Sequence, residues 1–328
     1  REGKLRLDFN ENTVGCSPRV LRALRRLASR ERLSLYPEYE AVRQKLAAFF
    51  NVAPDALLFT NGTDEAIQLV VNTYVDDNEP VALLSPSFPM YRFYAQAAGA
   101  VITEVPFRRP DLTFPRDELL SAITPETRAV LIANPNNPTG TAVDLADVHR
   151  ILEKAQNAAV LIDEAYFEFH GTTALGLIPH YPNLFVSRTF SKVYGLAGLR
   201  LGCLLSQPEN IAYLHKAQSP YSVNSLAVIC AAEAVEDRAY IERYAAEVVK
   251  AREQLCRGLR RLKVPYAPSA GNFVLAHFGD RAKEVCIRLR EAGILVRDRS
   301  FEIPGSVRVT VGNRAQVRRF LAALREVL

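Results

Sequence analysis

From residue 56 to 206, short apolar runs rich in β-branched residues alternate with stretches whose apolar positions recur at helical spacing. The runs 56–60, 81–85, 101–105, 129–133, 159–163, 184–188 and 199–205 read as strands, and 65–75 and 145–156 as helices between them. Runs such as Ala129-Val-Leu-Ile-Ala133 are apolar throughout rather than alternating. That is the signature of strands covered on both faces, so the pattern predicts an α/β fold with a mostly parallel seven-stranded sheet between helices. Beyond about Asn224 the rhythm changes. A long helical pattern over 225–262 leads to a strand at 273–277, a helix at 282–292, a strand at 306–311 and a last helix at 314–328. The expected division is a large domain over 33–230 and a small α+β domain built from the two chain ends, 1–32 and 231–328.

Composition narrows the class. The 328 residues are 48% hydrophobic and 23% charged, as in globular enzymes, and no apolar run approaches the length of a membrane span. Five scattered cysteines without CxxC spacing favour free thiols in a reducing compartment, so cytoplasm is the default location. The histidines lie far apart and form no metal motif, so no metal is expected. Net charge is +5, with arginines gathered at positions 19, 22, 25, 26, 30 and 32. Without interleaved aromatics or a known module these read as a solvated helix face, and neither nucleic acid nor membrane is an expected partner.

Candidate chemistry sits where strands end. Ser187-Arg-Thr-Phe-Ser-Lys-Val-Tyr-Gly-Leu-Ala-Gly-Leu-Arg200 places a lysine at the end of a hydroxyl-rich turn, with an arginine eight residues on. Lys192 could hold an aldehyde cofactor covalently, while Thr189, Ser191 and Arg200 hold its phosphate; a lone lysine is otherwise an ordinary surface residue. Phe59-Thr-Asn-Gly-Thr-Asp-Glu65 closes a strand and opens a helix, so Gly62, Thr63 and Asp64 suit an anion, or else a plain capped turn. In Ser85-Pro-Ser-Phe-Pro-Met-Tyr91, Phe88 is the first candidate to stack on a flat ring and Tyr91 the second. Asn134-Pro-Asn-Asn-Pro-Thr-Gly140 is a rigid loop in which one Asn–Pro bond could be cis, and it would hold Asn137 steady as an amide donor. Val160-Leu-Ile-Asp-Glu-Ala-Tyr166 ends a buried strand in an acid. Asp163 there could face a pyridinium nitrogen or cap a helix, and Tyr166 could reach the ring's oxygen.

These segments, in this order, resemble the fold-type I pyridoxal-phosphate aminotransferases. Within that family the chain is most similar to histidinol-phosphate aminotransferases. Tyr36-Pro-Glu38, Ala270-Gly-Asn-Phe273, Gly293-Ile-Leu-Val-Arg-Asp298 and Val307-Arg-Val-Thr-Val-Gly312 extend the likeness along almost the whole chain. The resemblance implies pyridoxal 5′-phosphate as cofactor, with Lys192 as Schiff-base lysine and proton shuttle. It implies that Asp163 keeps the pyridine nitrogen protonated, and that Tyr166 and Asn137 bond the phenolate. Gly62, Thr63, Asp64, Thr189, Ser191 and Arg200 would hold the phosphate, joined by Tyr36 from the neighbouring subunit of a homodimer with shared active sites. Arg308 would bind the carboxylate of glutamate, and Arg297 would be its companion on the phosphate side of the second substrate.

The expected reaction is ping-pong transamination between glutamate/2-oxoglutarate and imidazole acetol phosphate. Partners with the same chemistry are aromatic amino acids, and a different class is a lyase acting on threonine phosphate. Departures fall on the substrate side. The usual N-terminal arm before Leu7-Asp-Phe-Asn-Glu-Asn12 is expected to be short or absent, Thr13 and Val14 replace a proline and an aromatic, and the turn between Arg297 and Arg308 is compact.

Overall fold

The computed structural model describes residues 2–27 and 29–328, with the Arg32 side chain outside the described set. All seven expected apolar runs form one sheet. From edge to edge its strands are Leu57–Thr60, Gly202–Leu205, Leu184–Thr189, Ala159–Asp163, Ala129–Ala133, Pro80–Ser85 and Val101–Pro106. Gly202–Leu205 runs antiparallel to both of its neighbours, and the other pairings are parallel. The three middle strands, Leu184–Thr189, Ala159–Asp163 and Ala129–Ala133, are buried along their whole length, with both faces covered. Helices Gly62–Tyr74 and Pro89–Ala97 pack on one face through Ile67, Val70, Val71 and Tyr91. The other face meets Leu145–Lys154 and Ser225–Glu236 through Val148, Ile151, Val228 and Ala231.

Two expected boundaries shift for local reasons. The last strand of the sheet begins at Gly202 rather than at residue 199, because Ala197–Leu199 closes a 3₁₀ turn and Arg200 adopts φ +57°. The long helical pattern breaks at Asp237, whose carboxylate accepts the backbone N–H of Tyr240 and the Ser17 hydroxyl. Its cap starts a second helix, Arg238–Arg261, after Ser225–Glu236.

The chain ends build a second, smaller layer. Phe273–His277, Ser306–Thr310 and Arg297–Asp298 form an antiparallel sheet, and Leu5–Arg6 pairs in parallel with Ile294–Leu295. From there residues 7–12 are carried across this layer by Leu7 N–H to Leu295, Thr310 N–H to Leu7, and Asn10 N–H to the Thr310 hydroxyl. Helix Pro18–Leu27 then lies on Ser225–Glu236, where Arg19 pairs with Glu233 and Glu236. Part of the arginine-rich face is therefore used internally.

A buried ionic cluster fixes the turn after Asp163. Glu164 accepts from the Thr173 hydroxyl at 2.8 Å and from Ala174 N–H at 2.6 Å, and it pairs with Arg188, which donates to Thr173 at 2.9 Å. Glu168 lies 3.9 Å from the same guanidinium, and desolvation pushes its carboxyl up to about 7 against an ordinary 4.5. An acid whose pKa is raised by folding stabilises the fold below its unfolded pKa, and that contribution disappears as pH rises through the folded value. Glu168→Gln should therefore melt above the parent protein in buffer of roughly pH 8, by a free-energy difference on the order of 3 kcal/mol. The two should converge as pH falls towards about 4.5. Thermal melts across that range check this, and a gap independent of pH would contradict it.

Candidate active site

The C-terminal ends of the parallel strands, where α/β sheets place their ligand sites, point one set of side chains into a common pocket of about 360 Å³. Of the residues named from sequence, Thr63, Asp64, Phe88, Asn137, Asp163, Tyr166, Thr189, Ser191, Lys192, Arg200, Arg297 and Arg308 all line it. Gly62 lies directly behind Arg200. Tyr36 lies elsewhere, 75% exposed and stacked on Tyr221 with ring centroids 4.4 Å apart. A larger cavity of about 1140 Å³ opens behind the 166–169 turn, lined by Phe49, Phe50, Phe167 and Ile178, and contains none of these groups.

Asp163 closes the central strand and is buried. Its Oδ1 accepts from the Ser187 hydroxyl at 2.9 Å and Ala165 N–H at 3.2 Å, and its Oδ2 accepts from the Tyr91 hydroxyl at 2.8 Å. Desolvation raises its pKa in spite of those donors, and burial with the adjoining carboxylate holds the Tyr91 phenol well above its usual range. A carboxylate offers about four acceptor positions and three are filled, which leaves one on the pocket side of Oδ2. Tyr91 is thus a support for the acid rather than a stacking ring. Phe88, edge-on to Tyr91 at 5.7 Å, remains the aromatic at the pocket wall.

Opposite the acid, Lys192 Nζ donates to the Phe9 carbonyl at 3.3 Å and stands 5.7 Å from the Tyr166 ring. Tyr166 is buried edge-on against Phe273, and its hydroxyl accepts from Asn10 Nδ2 at 3.0 Å. With that lone pair engaged, the phenolic proton is the end free to be given away. Asn137 is oriented the same way, since its Oδ1 accepts from Arg308 at 2.5 Å and its N–H₂ end remains as donor. Both Asn–Pro bonds of its loop are cis.

At one end of the pocket the helix Gly62–Tyr74 begins without a side-chain cap, and neither Thr63 nor Asp64 serves as one. Its first-turn N–H groups are therefore available to an anion. Gly62 has φ +72°, and a β-carbon there would come within 2.5 Å of the Arg200 guanidinium, so only glycine lets the arginine close over the turn. Arg200 is itself held by Asp64 at 2.8 Å, and Ser191 N–H bonds the Thr189 hydroxyl at 3.1 Å. Helix N-terminus, two hydroxyls and a guanidinium make a phosphate-sized cradle.

The other end is cationic. Arg297 and Arg308 are cross-strand neighbours, and neither pairs with a carboxylate among the described residues. Arg308 is buried and fixed by Asn137 and by the Asp8 carbonyl at 2.8 Å, and desolvation lowers it to about 10. Arg297 is exposed and lies over the Phe9 ring at 5.5 Å.

Several pocket residues were not legible in advance. Phe9 and Asn10 reach it only through tertiary pairing, and so does Arg299. Ser187 left a readable signal, a hydroxyl directly after the apolar run Leu184-Phe-Val186, and it comes into register with Asp163. Among the described residues no group of side chains could hold a metal ion, and no helix is long and apolar enough to cross a membrane.

Comparison with known proteins agrees with this geometry. The sequence pattern of the family described as aminotransferase class I and II matches residues 2–324. A histidinol-phosphate aminotransferase of Symbiobacterium thermophilum is 38% identical, covering 99% of this chain and 90% of that protein. One from a Geobacillus species is 36% identical over the same shares. The crystal structure of histidinol-phosphate aminotransferase from Sinorhizobium meliloti in complex with pyridoxal-5′-phosphate superposes with a TM-score of 0.89 at 27% identity, covering 100% of this chain and 91% of that one. Aspartate aminotransferase from Thermus thermophilus, at 23% identity and a TM-score of 0.86, shares the fold. With the family pattern spanning nearly the whole sequence and such relatives along its full length, the chain belongs to the class I and II aminotransferases.

Proposed function

We propose that this aminotransferase moves an amino group between glutamate and imidazole acetol phosphate, with pyridoxal phosphate held in the pocket around Lys192. The observation that carries the reading is one cavity with a lysine amine at its centre, a buried acid on one wall, an anion cradle at one end and paired arginines at the other. The names of the most similar relatives, and the cofactor bound in the Sinorhizobium meliloti enzyme, support the same substrates and cofactor.

The residues fit the cofactor without rearrangement of charge. When bound, pyridoxal phosphate supplies an aldehyde for the amine and an electron-poor ring that can take up a carbanion's electron pair. Its phosphate matches the Gly62 turn with Thr63, Thr189, Ser191 and Arg200, and Asp64 holds that arginine in place. Asp163 would offer its remaining lone pair to a ring N–H⁺, a cation that would reverse the effect of burial on the acid. Tyr166 and Asn137, whose oxygens already accept from Asn10 and Arg308, would donate to the ring's phenolate oxygen. Lys192 takes and returns the proton at the substrate carbon, and its hold on the Phe9 carbonyl is weak enough to release. Arg308 binds a carboxylate, assisted at the rim by Arg297.

In this proposal Tyr36, exposed, stacked on Tyr221 and outside its own pocket, serves the site of a neighbouring copy. A homodimer with shared sites is part of the proposal, as is a cytoplasmic setting for a biosynthetic enzyme of this kind.

Borohydride treatment of the cofactor-loaded protein, followed by peptide mass spectrometry, should find the pyridoxyl adduct on Lys192. Lys192→Ala should lose both the adduct and the visible absorption band, and a retained band would remove the lysine from its role. In a substrate panel, glutamate should aminate the cofactor and imidazole acetol phosphate should take the amine back. Faster return to phenylpyruvate would favour an aromatic amino acid enzyme, and carbon dioxide release from threonine phosphate would favour a lyase.

A further inference from the structure

Beside Arg200, Arg297 and Arg308 the pocket contains a fourth arginine, one that the proposed chemistry does not use. Arg299 follows the short strand Arg297–Asp298 and enters the compact turn, where its backbone N–H bonds Ser306 and its carbonyl accepts from Glu302 and Ile303. The residue is 4% exposed and lines the same cavity as Lys192 and Arg308. Among the described residues its ionic partner is Glu302, whose Oε2 lies 2.5 Å from NH2, and its Nε makes no hydrogen bond. Arg308 likewise keeps an unused Nε. Buried N–H donors are seldom left without acceptors, and a guanidinium out of water wants a well-directed anion.

Charge counting points the same way. Arg297, Arg299 and Arg308 line this cavity, and among the described residues Glu302 is the carboxylate that pairs with one of them, while like charge from its neighbours works against each buried guanidinium. The end of the pocket is therefore short of negative charge. A carboxylate, with two oxygens, is satisfied by a single guanidinium fork such as that of Arg308. A phosphate monoester has three free oxygens and up to two charges, so it can use a second fork.

We infer that Arg299 is a substrate-binding residue which, beside Arg308, forms the second half of a dianion subsite selective for phosphate monoesters over monocarboxylates. Glu302 acts as the counter-ion that keeps Arg299 in place while no substrate is bound. This rests on the reading that one of the substrates carries a phosphate.

The test is equilibrium binding to the cofactor-loaded enzyme, with glycerol 3-phosphate as the phosphate probe and 3-phenylpropionate as the monocarboxylate. Because Arg299→Gln alone would strand Glu302, the double variant Arg299→Gln/Glu302→Gln removes the pair together. Arg299→Lys is a second variant that keeps the charge and loses the fork. The double variant should weaken glycerol 3-phosphate by at least about 10-fold while 3-phenylpropionate changes by less than about 3-fold. Arg299→Lys should show the same selectivity with a smaller loss. Unchanged phosphate binding, or equal weakening of both probes, overturns the inference. Turnover of imidazole acetol phosphate by the parent enzyme separately decides the reading beneath it. Parent turnover with no selective loss in the variants sinks only the role of Arg299, whereas absent parent turnover sinks the reading itself.

Discussion

An acid held out of water at the end of a strand governs this site. Asp163 carries three donors, from Ser187, Ala165 and Tyr91, and still has its pKa raised, because hydrogen bonds replace only part of what water gives a carboxylate. A fold that retains such a group without a cation beside it is arranged around one that arrives. The cation must come from the pocket side, since the other directions are closed by protein. A protonated heteroaromatic nitrogen meets that requirement, and the lysine, the two phenolate donors and the phosphate cradle stand at the remaining sides of the same cavity.

The rest of the structure keeps these groups in register. The parallel sheet brings strand ends to one edge, and the buried cluster of Glu164, Arg188 and Thr173 pins the turn that carries Tyr166. The chain ends supply the other half. The N-terminal segment gives the Phe9 carbonyl to Lys192 and the Asn10 amide to Tyr166, while the last sheet lends Arg308 and the turn that holds Arg299. The cofactor side is thus made by local motifs at strand ends, and the substrate side by contacts between residues some 300 positions apart.

That division explains what could be read in advance. Unbroken apolar runs reported the central strands closely, because burial on both faces leaves no room for alternation. The loop motifs reported four residues that share the pocket, because Asp163 ends a strand and Lys192, Tyr166 and Asn137 lie three or four residues beyond one. The break at Asp237 was hidden, since helical periodicity continues on both sides and only the cap interrupts it. Tyr91 looked like a stacking ring because its spacing from Phe88 does not reveal that its hydroxyl meets an acid from another strand. Arg299 was invisible for a related reason: its burial depends on how the turn folds back on the small sheet, and charge in a loop ordinarily faces solvent.

The central claim is that Asp163 exists to hold a proton on a ring nitrogen. Nitrogen NMR of the enzyme loaded with ring-labelled pyridoxal phosphate measures this directly. A chemical shift in the pyridinium range, moving to that of a neutral pyridine in Asp163→Asn, is the predicted result. A neutral ring nitrogen in the parent enzyme, or a protonated one that survives the substitution, would contradict the account.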